Sequence, residues 1–460
     1  MNTSTKKEMV TYEQARSEIL ARCQTLPSQT VQLEDSLRRV LAEPIKATID
    51  LPLFNNSAVD GYGVLVQDIL EASEKNPVKL KLVGEIAAGY HQSLPEIAPG
   101  QCLRILTGAQ TPATAEAVVM KEYCTVISAP GPNSPENGGQ QPQLSEPVAQ
   151  HAGQNAGHNA GYNKSHDSSH YEADTYILVG RNARIGENIR LQGEEIEAGS
   201  TVLAAGTAIT PPVLGLIASL GKSSFAVQRL PAVAVVSTGD ELKEPGQQLA
   251  TGEIYNSNSY ALQAALNALG VHQVHRHHCP DNREKTTAVL QAALQDNDII
   301  ITAGGVSVGE YDYVKDVLEG LGVTTVFWKI AIKPGKPVYF GVFGNKPVFG
   351  LPGNPVSALV TFNLFVKPAL FKMLGINSEP LKTYQARLAR NLKKKAGRLD
   401  FVRGKLDTLE GQLSAMPVTG QESHMLSGLA QANCLLHFEQ DLEFLPEGEN
   451  ITVNLLNWYE

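Results

Sequence analysis

The sequence predicts a multidomain α/β plus β chain. A mainly parallel sheet with helices on both faces is preceded by a β-rich segment and followed by a small β-barrel-like domain. Three observations predict it. The chain has 460 residues, too many for one hydrophobic core and enough for about three or four domains. From Pro231 onward, strand-like and helix-like strings alternate: AVAVVSTGDE, NSNSYALQAALNALG, VHQVHRHHC, REKTTAVLQAAL, DIIITAGG, DYVKDVLEGLG and PVFGLPG. Between Asp50 and about Gly199, and again after Pro380, short apolar runs between Gly, Pro and Asn replace that alternation.

The elements follow in order. Tyr12, Ala15, Ile19 and Leu20 fall at helical spacing, so residues 11–23 are expected to open the chain as an amphipathic helix. Residues 33–45 read as a second short helix stopped at Pro44. The strings VKLKLVGEI, CLRILTG, EAVVMKEY and TYILVG read as strands. Residues 128–147 carry five prolines, and 149–170, AQHAGQNAGHNAGYNKSHDSSH, contain no Val, Ile, Leu, Phe or Met. Such a stretch cannot bury enough apolar surface to offset its chain entropy, which predicts a disordered insertion. His272, His275, His277 and His278 sit on one expected strand, where alternation sends them to opposite faces, and are read as structural.

Composition narrows the function. A 42% hydrophobic and 18% charged chain is that of a soluble globular protein, and a net charge of −9 argues against a broad nucleic-acid surface. Cys23, Cys102, Cys124, Cys279 and Cys434 are never closer than 22 residues, which leaves no CxxC pair and no zinc knuckle. They read as scattered thiols of a reducing cytosol. The N-terminus lacks the apolar core of a signal peptide, and no apolar run is expected to reach the eighteen or so residues of a membrane span. The expected location is cytoplasmic.

Ligands of open α/β sheets bind beyond the carboxyl ends of the strands, and three strings fall there. AVAVVSTGDEL ends in Thr238, Gly239, Asp240 and Glu241. DIIITAGGVSVGEYD presents Gly304, Gly305, Ser307 and Gly309 and then Glu310 and Asp312 at an expected helix start. Small residues between strand and helix let several N–H groups converge on an anion. The string is not a Walker loop, and Val306 stands where the second glycine of G-x-G-x-x-G belongs. Asp240, Glu241 and Asp312 beside an anion loop are costly unless a cation such as Mg²⁺ lies between them and a phosphate. The third string, AIKPGKP with LPGNPVSA, offers Lys333, Lys336, Pro352, Gly353, Asn354, Pro355 and Ser357. With Lys329 the prolyl-bracketed lysines suit a compact dianion such as phosphate, sulfate or molybdate, although a solvated basic turn reads the same way. Upstream, PLFNNSAVDGYGV, RILTGAQTP and RLQGEEIEAG are turn-like strings presenting Asp60, Thr107, Glu194 and Glu195.

Taken together, FNNSAVDGY, RILTGA, IRLQGEEI, AGT, VVSTGDEL, IYNSN, TAGGVSVGEYDY, WKIAIKPGKP, GLPGNPVSA and GRLDFVRG resemble one family, the molybdopterin molybdenumtransferases, which share their architecture with the E domain of gephyrin. The strings occur in family order over nearly the whole chain, leaving out about 128–174. The resemblance implies an elongated homodimer of four-domain subunits. Residues 7–26 and 231–380 would form the α/β molybdopterin-binding domain and 27–46 with 200–230 a linking domain. Residues 47–199 would form the β-rich domain and 381–460 the C-terminal one. It further implies a site between subunits, with Asp60 and Thr107 from one and Glu241, Asp281, Asp312, Lys329, Lys333 and Lys336 from the other, and Glu195 as a further catalytic residue. Phosphate contacts would come from Gly304, Gly305, Ser307, Gly309, Pro352 and Pro355. Mg²⁺ would be held by Glu241, Asp281 and Asp312, and molybdate by Lys333, Ser357, Arg398 and Ser423, with Arg403 as a further candidate.

The implied reaction inserts molybdate into adenylylated molybdopterin with release of AMP. Implied partners are a molybdopterin adenylyltransferase and molybdoenzyme-maturation proteins, with neither nucleic acid nor membrane. Four positions depart from the family pattern: Glu195 for Asp, Asn282 for an acid, Asn256 for Asp and Val59 for Met. Two other functions compete. A molybdopterin adenylyltransferase uses a similar α/β domain but would not need FNNSAVDGY, and a gephyrin-like scaffold would not need the acids and lysines. Tungstate in place of molybdate is not distinguished by the sequence.

Overall fold

The structure, a computed structural model, describes residues 9–90, 93–128, 175–306, 313–376, 381–456 and 458. The chain divides into two compact units, 1–45 with 203–460 and 46–202. The first unit opens with the helix Tyr12–Arg22. It starts where it does because Thr11 accepts from the Gln14 N–H while the Gln14 side chain accepts from Thr11 N–H, a reciprocal capping box. Ala15 and Ile19 are buried against the central helix of the unit, and Tyr12 packs on the rings of Phe365 and Phe401.

The α/β sheet of this unit has six strands in the order Val274–Cys279, Val233–Thr238, Ile299–Ala303, Lys346–Leu351, Tyr339–Phe343, Thr324–Trp328. The first four are parallel, and the last two are joined by antiparallel pairing. Alternation along the strands sorts the two faces. Val233, Val235, Ile299 and Ile301 meet helices Tyr12–Arg22 and Ser257–Ala268 in one core cluster. Ala234, Val236 and Ile300 meet helices Arg283–Asp296 and Val314–Gly320 in another. Fully buried, β-branched strands without polar alternation are what a sheet covered on both faces requires.

Beyond the sheet, Ser28–Gln32 pairs antiparallel with Ser224–Gln228, and the C-terminal region closes a barrel. The 11-residue strand Leu399–Leu409 is long enough to pair with Gln412–Pro417 at one end and Cys434–Phe438 at the other. Strands Thr383–Leu388 and Asn450–Leu455 complete the ring, so the five strands leave no free edge. The fold is thus multidomain α/β plus β, with a mainly parallel sheet, a β-rich unit and a C-terminal barrel.

The second unit is built on a six-stranded sheet ordered Ala117–Met120, Gly61–Val64, Gln101–Ile105, Val78–Ile86, Thr175–Val179, Cys124–Ser128. The last two strands are antiparallel, with Ser128 directly opposite Thr175. Most of the low-complexity segment, 129–174, lies outside the described residues; it enters and leaves the fold at this pair. All five cysteines are free, and all but Cys124 are buried.

Two expectations fail. Residues 33–45 form only a three-residue 3₁₀ turn, Leu33–Asp35. Arg38 then takes φ +65°, which a helix cannot contain, and Val40 and Leu41 bridge to Ala208 and Val227 instead. The apolar spacing of that segment therefore serves strand-like contacts. The second concerns the apolar run: Pro355–Met373 is long and apolar enough to span a membrane, but its apolar window is 89% buried inside the protein. It is the core helix of the α/β domain, passing through one π-type turn at Phe362–Val366.

Candidate active site

The strand Val233–Thr238 is followed in sequence by its neighbour on one side, Val274–Cys279, and then by its neighbour on the other, Ile299–Ala303. The connections after Thr238 and after Ala303 therefore diverge, and a crevice opens between them. A cleft of about 760 Å³ lies there, lined by Thr238, Gly239, Glu241, Asp281, Gly304, Gly305, Pro352 and Pro355 among others. Gly305 has φ +68°, and a Cβ on it would stand 2.4 Å from Val314 Cγ2. Only glycine lets the strand end turn so close beneath the following helix. Ser307, Gly309, Glu310 and Asp312 lie outside the described residues.

Glu241 and Asp281 both line this cleft. Their loops are tied together by neighbours: the Asp281 N–H donates to Asp240 Oδ1 (3.1 Å) and the Asp240 N–H to Asp281 Oδ2 (3.4 Å). Among the described residues no three His, Cys, Asp or Glu side chains gather into a metal cluster. Mg²⁺ does not demand one, because it commonly takes one or two carboxylates and fills its octahedron with water and substrate phosphate. Glu241 and Asp281 fit that partial donor set.

Two departures from the family pattern acquire a physical role here. Asn256 caps helix Ser257–Ala268 by accepting from the Ser259 N–H (3.3 Å), and Asn282 caps Arg283–Asp296 by accepting from the Lys285 N–H (3.0 Å). Asn and Asp cap about equally well, so exchanging one for the other keeps the helix start. Asn256 adds what an Asp could not, an Nδ2 that donates to Ser237 Oγ at 2.9 Å.

A second cavity of about 570 Å³ adjoins the cleft and shares Pro337, Pro352 and Asn354 with it. Lys333, Lys336, Ser357, Arg398, Arg403 and Ser423 all line it. Lys333 projects from the turn Lys333-Pro334-Gly335-Lys336 and approaches Asp400 at 3.8 Å. Burial pushes the Asp400 carboxyl above the usual range, against the pull of Lys333, Lys394 and Arg398. Lys394 donates to the Arg398 carbonyl, and burial lowers its own pKa. Arg403 is 1% exposed and donates to the Gly420 carbonyl (2.9 Å), which fixes the loop leading to Ser423. Lys329 lines neither cavity. Its backbone sits at φ +86°, and its ammonium lies 4.2 Å from the centre of the Trp328 ring.

In the unit 46–202, Asp60 and Thr107 meet directly. The Thr107 N–H and hydroxyl donate to Asp60 Oδ1 at 2.9 and 2.8 Å, and Lys121 donates to Oδ2 at 3.2 Å. The Thr107 donors first, and Lys121 after them, hold the Asp60 carboxyl down at about 2. The turn bearing Glu194 and Glu195 is pinned to the PLFNNS string: Gln192 N–H donates to Asn55 Oδ1 (2.8 Å), and Glu195 N–H to the Leu51 carbonyl (3.0 Å). The Glu195 side chain is exposed.

Sequence reasoning missed several residues of these sites. Lys393, Lys394 and Lys395 line the basic cavity, and the run of three lysines was the signal that could have found them. Lys121, with no motif around it, was not legible. Asn354 belongs to the LPGNPVSA string, but nothing in that string shows its place between the two cavities.

Three family models match in succession: the MoeA N-terminal region (domains I and II) over 10–221, a probable molybdopterin binding domain over 234–372, and the MoeA C-terminal region (domain IV) over 385–456. The chain is 35% identical over 455 residues to a molybdopterin molybdenumtransferase of Haemophilus influenzae, covering 98% of this chain and 99% of that one. It is 33% identical over 430 residues to the protein of that name from Bacillus subtilis, covering 93% and 90%. Among solved structures, a molybdopterin biosynthesis MoeA protein from Pyrococcus horikoshii matches with a TM-score of 0.74 at 29% identity, covering 98% of this chain and all of that one.

Proposed function

This chain belongs to the family of the molybdopterin molybdenumtransferases, transferases of molybdenum cofactor biosynthesis, and we propose that it inserts molybdate into adenylylated molybdopterin with release of AMP. The observation that carries this reading is the pair of adjoining cavities, one lined by glycines and acids and the other by lysines and arginines. A substrate with a phosphoanhydride at one end and a metal-binding dithiolene at the other needs both surroundings within one molecule's length. The glycine-lined strand end at Gly304 and Gly305, with no side chain to fill the cleft, leaves room for the pyrophosphate. Lys333, Arg398, Ser357 and Ser423 suit a tetrahedral dianion, for which each charge-assisted bond contributes roughly 1.5–3 kcal/mol.

Glu241 and Asp281, with Asp312, are the residues that would hold Mg²⁺, and the ion would supply neutralisation of charge on the phosphates. We further propose a cytoplasmic homodimer in which Asp60 and Thr107 of one subunit complete the site of the other, in support of which Asp60 is fixed as an anion by three donors. Purified protein given adenylylated molybdopterin, molybdate and Mg²⁺ should yield AMP and cofactor that activates an apo-molybdoenzyme. Folded protein that releases no AMP and forms no cofactor under those conditions would overturn the proposal.

A further inference from the structure

Three asparagines occupy helix N-caps around the paired cavities, and one of them does not cap. Asn256 and Asn282 turn their side-chain oxygens onto the helix N–H groups that follow them. Asn354 precedes Pro355 at the start of the core helix and makes no side-chain capping bond. Its Nδ2 instead donates to Ser423 Oγ at 2.9 Å, 69 residues away in sequence. A backbone bond repeats the link, the Val356 N–H donating to the Ser423 carbonyl at 3.2 Å. Asn354 lines both cavities, and Ser423 lines the basic one.

A serine hydroxyl has one hydrogen to give and two lone pairs with which to accept. The amide of Asn354 engages a lone pair, which leaves the Ser423 hydrogen to be donated elsewhere. The cavity that Ser423 lines carries Lys333, Lys336, Lys394 and Arg398 against the carboxylates of Asp400 and Glu422, a predominantly cationic lining that suits an oxygen that accepts and does not donate. Were the partner at Asn354 an acceptor, the serine hydrogen would be drawn away from the cavity.

We propose that Asn354 is a positioning residue which, by donating to Ser423, orients the serine hydroxyl as a hydrogen-bond donor to the oxyanion substrate in the basic cavity. The inference rests on the assignment of that cavity to molybdate. Its role is to set the direction of one hydrogen, so it acts only through Ser423 and only on the oxyanion.

The test is equilibrium binding of molybdate alone to the full chain by titration calorimetry, with a double-mutant cycle. Ser423→Ala should weaken binding about tenfold or more, and Asn354→Ala roughly threefold to tenfold, as expected for hydrogen bonds to a charged ligand. In the Ser423→Ala background, Asn354→Ala should cost nothing further. Under turnover, Asn354→Ala should raise KM for molybdate and leave KM for the adenylylated pterin unchanged. Should the alanine variant fail to fold, Asn354→Leu serves as well, since it is close to Asn in size, adds no charge and cannot donate; it should weaken binding with Ser423 present and lose most of that effect without it. Wild-type affinity in Asn354→Ala, or effects of the two substitutions that simply add, would overturn the positioning role and leave the proposed reaction standing. A wild-type protein that binds no molybdate would overturn the reaction and this inference together.

Discussion

Thr107 holds Asp60 by two donors at once, its backbone N–H at 2.9 Å and its hydroxyl at 2.8 Å, both on the same carboxylate oxygen. With Lys121 on the other oxygen, these bonds favour the ionised form and lower the carboxyl to about 2. A carboxyl depressed in the folded state stabilises the fold above its unfolded pKa, and that contribution is lost as pH falls from about 4 through about 2.

The first prediction follows from that pair. Thr107→Val keeps the N–H but removes the hydroxyl, so the Asp60 titration should move upward and still remain below the ordinary carboxylate range. Lys121→Ala should move it in the same direction. A carboxyl ¹³C titration reads both, and an unmoved midpoint in Thr107→Val would mean that the hydroxyl contributes nothing.

A second prediction concerns the ladder at Ser128 and Thr175. Because these residues already face each other across an antiparallel pair, replacing 129–174 by the two residues Asn-Gly should close a hairpin without disturbing the sheet. Thermal stability and AMP release should stay near those of the intact chain. A melting temperature lower by several degrees would show that the segment contributes to the fold.

Gly335 supplies a third. It lies at φ +110° between Lys333 and Lys336, and a Cβ there would stand 2.4 Å from Thr361 Cγ2 and 3.1 Å from Ile332 Cδ1. Gly335→Ala should cost about 1–3 kcal/mol in urea unfolding. It should also weaken molybdate binding, since the same turn carries Lys333. Wild-type stability in this variant would show that the loop relaxes freely.

The fourth tests the proposed shared site. Asp60→Ala and Lys333→Ala should each be inactive as homodimers, while a mixture with exchanging subunits should form one site that carries neither change. Random pairing then gives about a quarter of wild-type activity. No recovery, with exchange confirmed by native mass spectrometry, would show that the two residues do not act across subunits.

Much of this architecture was legible because each level of the sequence agreed with the next. AVAVVST and IIITA are apolar without alternation, and they became strands buried on both faces. The glycines after Ala303 and the acids after Thr238 read as sheet-end loops, and Gly304, Gly305 and Glu241 line the cleft. Other features depended on partners far away in sequence. Leu37, Val40 and Leu41 have helical spacing, but Arg38 at φ +65° and the bridges to Ala208 and Val227 override it. The lysines at 393–395 look like a solvated run. They become cavity walls because Leu392–Lys393 pairs with Phe444–Leu445 and Leu399 pairs with Ile332. Lys329 read as part of the basic loop, yet its left-handed backbone and the Trp328 ring take it elsewhere.

The pairing of Val10 with Ile330 fixes an order of events during synthesis. The opening helix docks on Phe365 and Phe401, so a segment made early has its partners far downstream. Roughly 320 residues separate Val10 from Ile330, which at about 5–20 residues per second is on the order of 15–65 s of waiting. The unit 46–202, by contrast, is one uninterrupted stretch of chain and emerges whole before any strand of the α/β sheet. Until Phe365 and Phe401 have emerged, Tyr12 lacks both of the rings it packs against, and the opening helix cannot complete its apolar face.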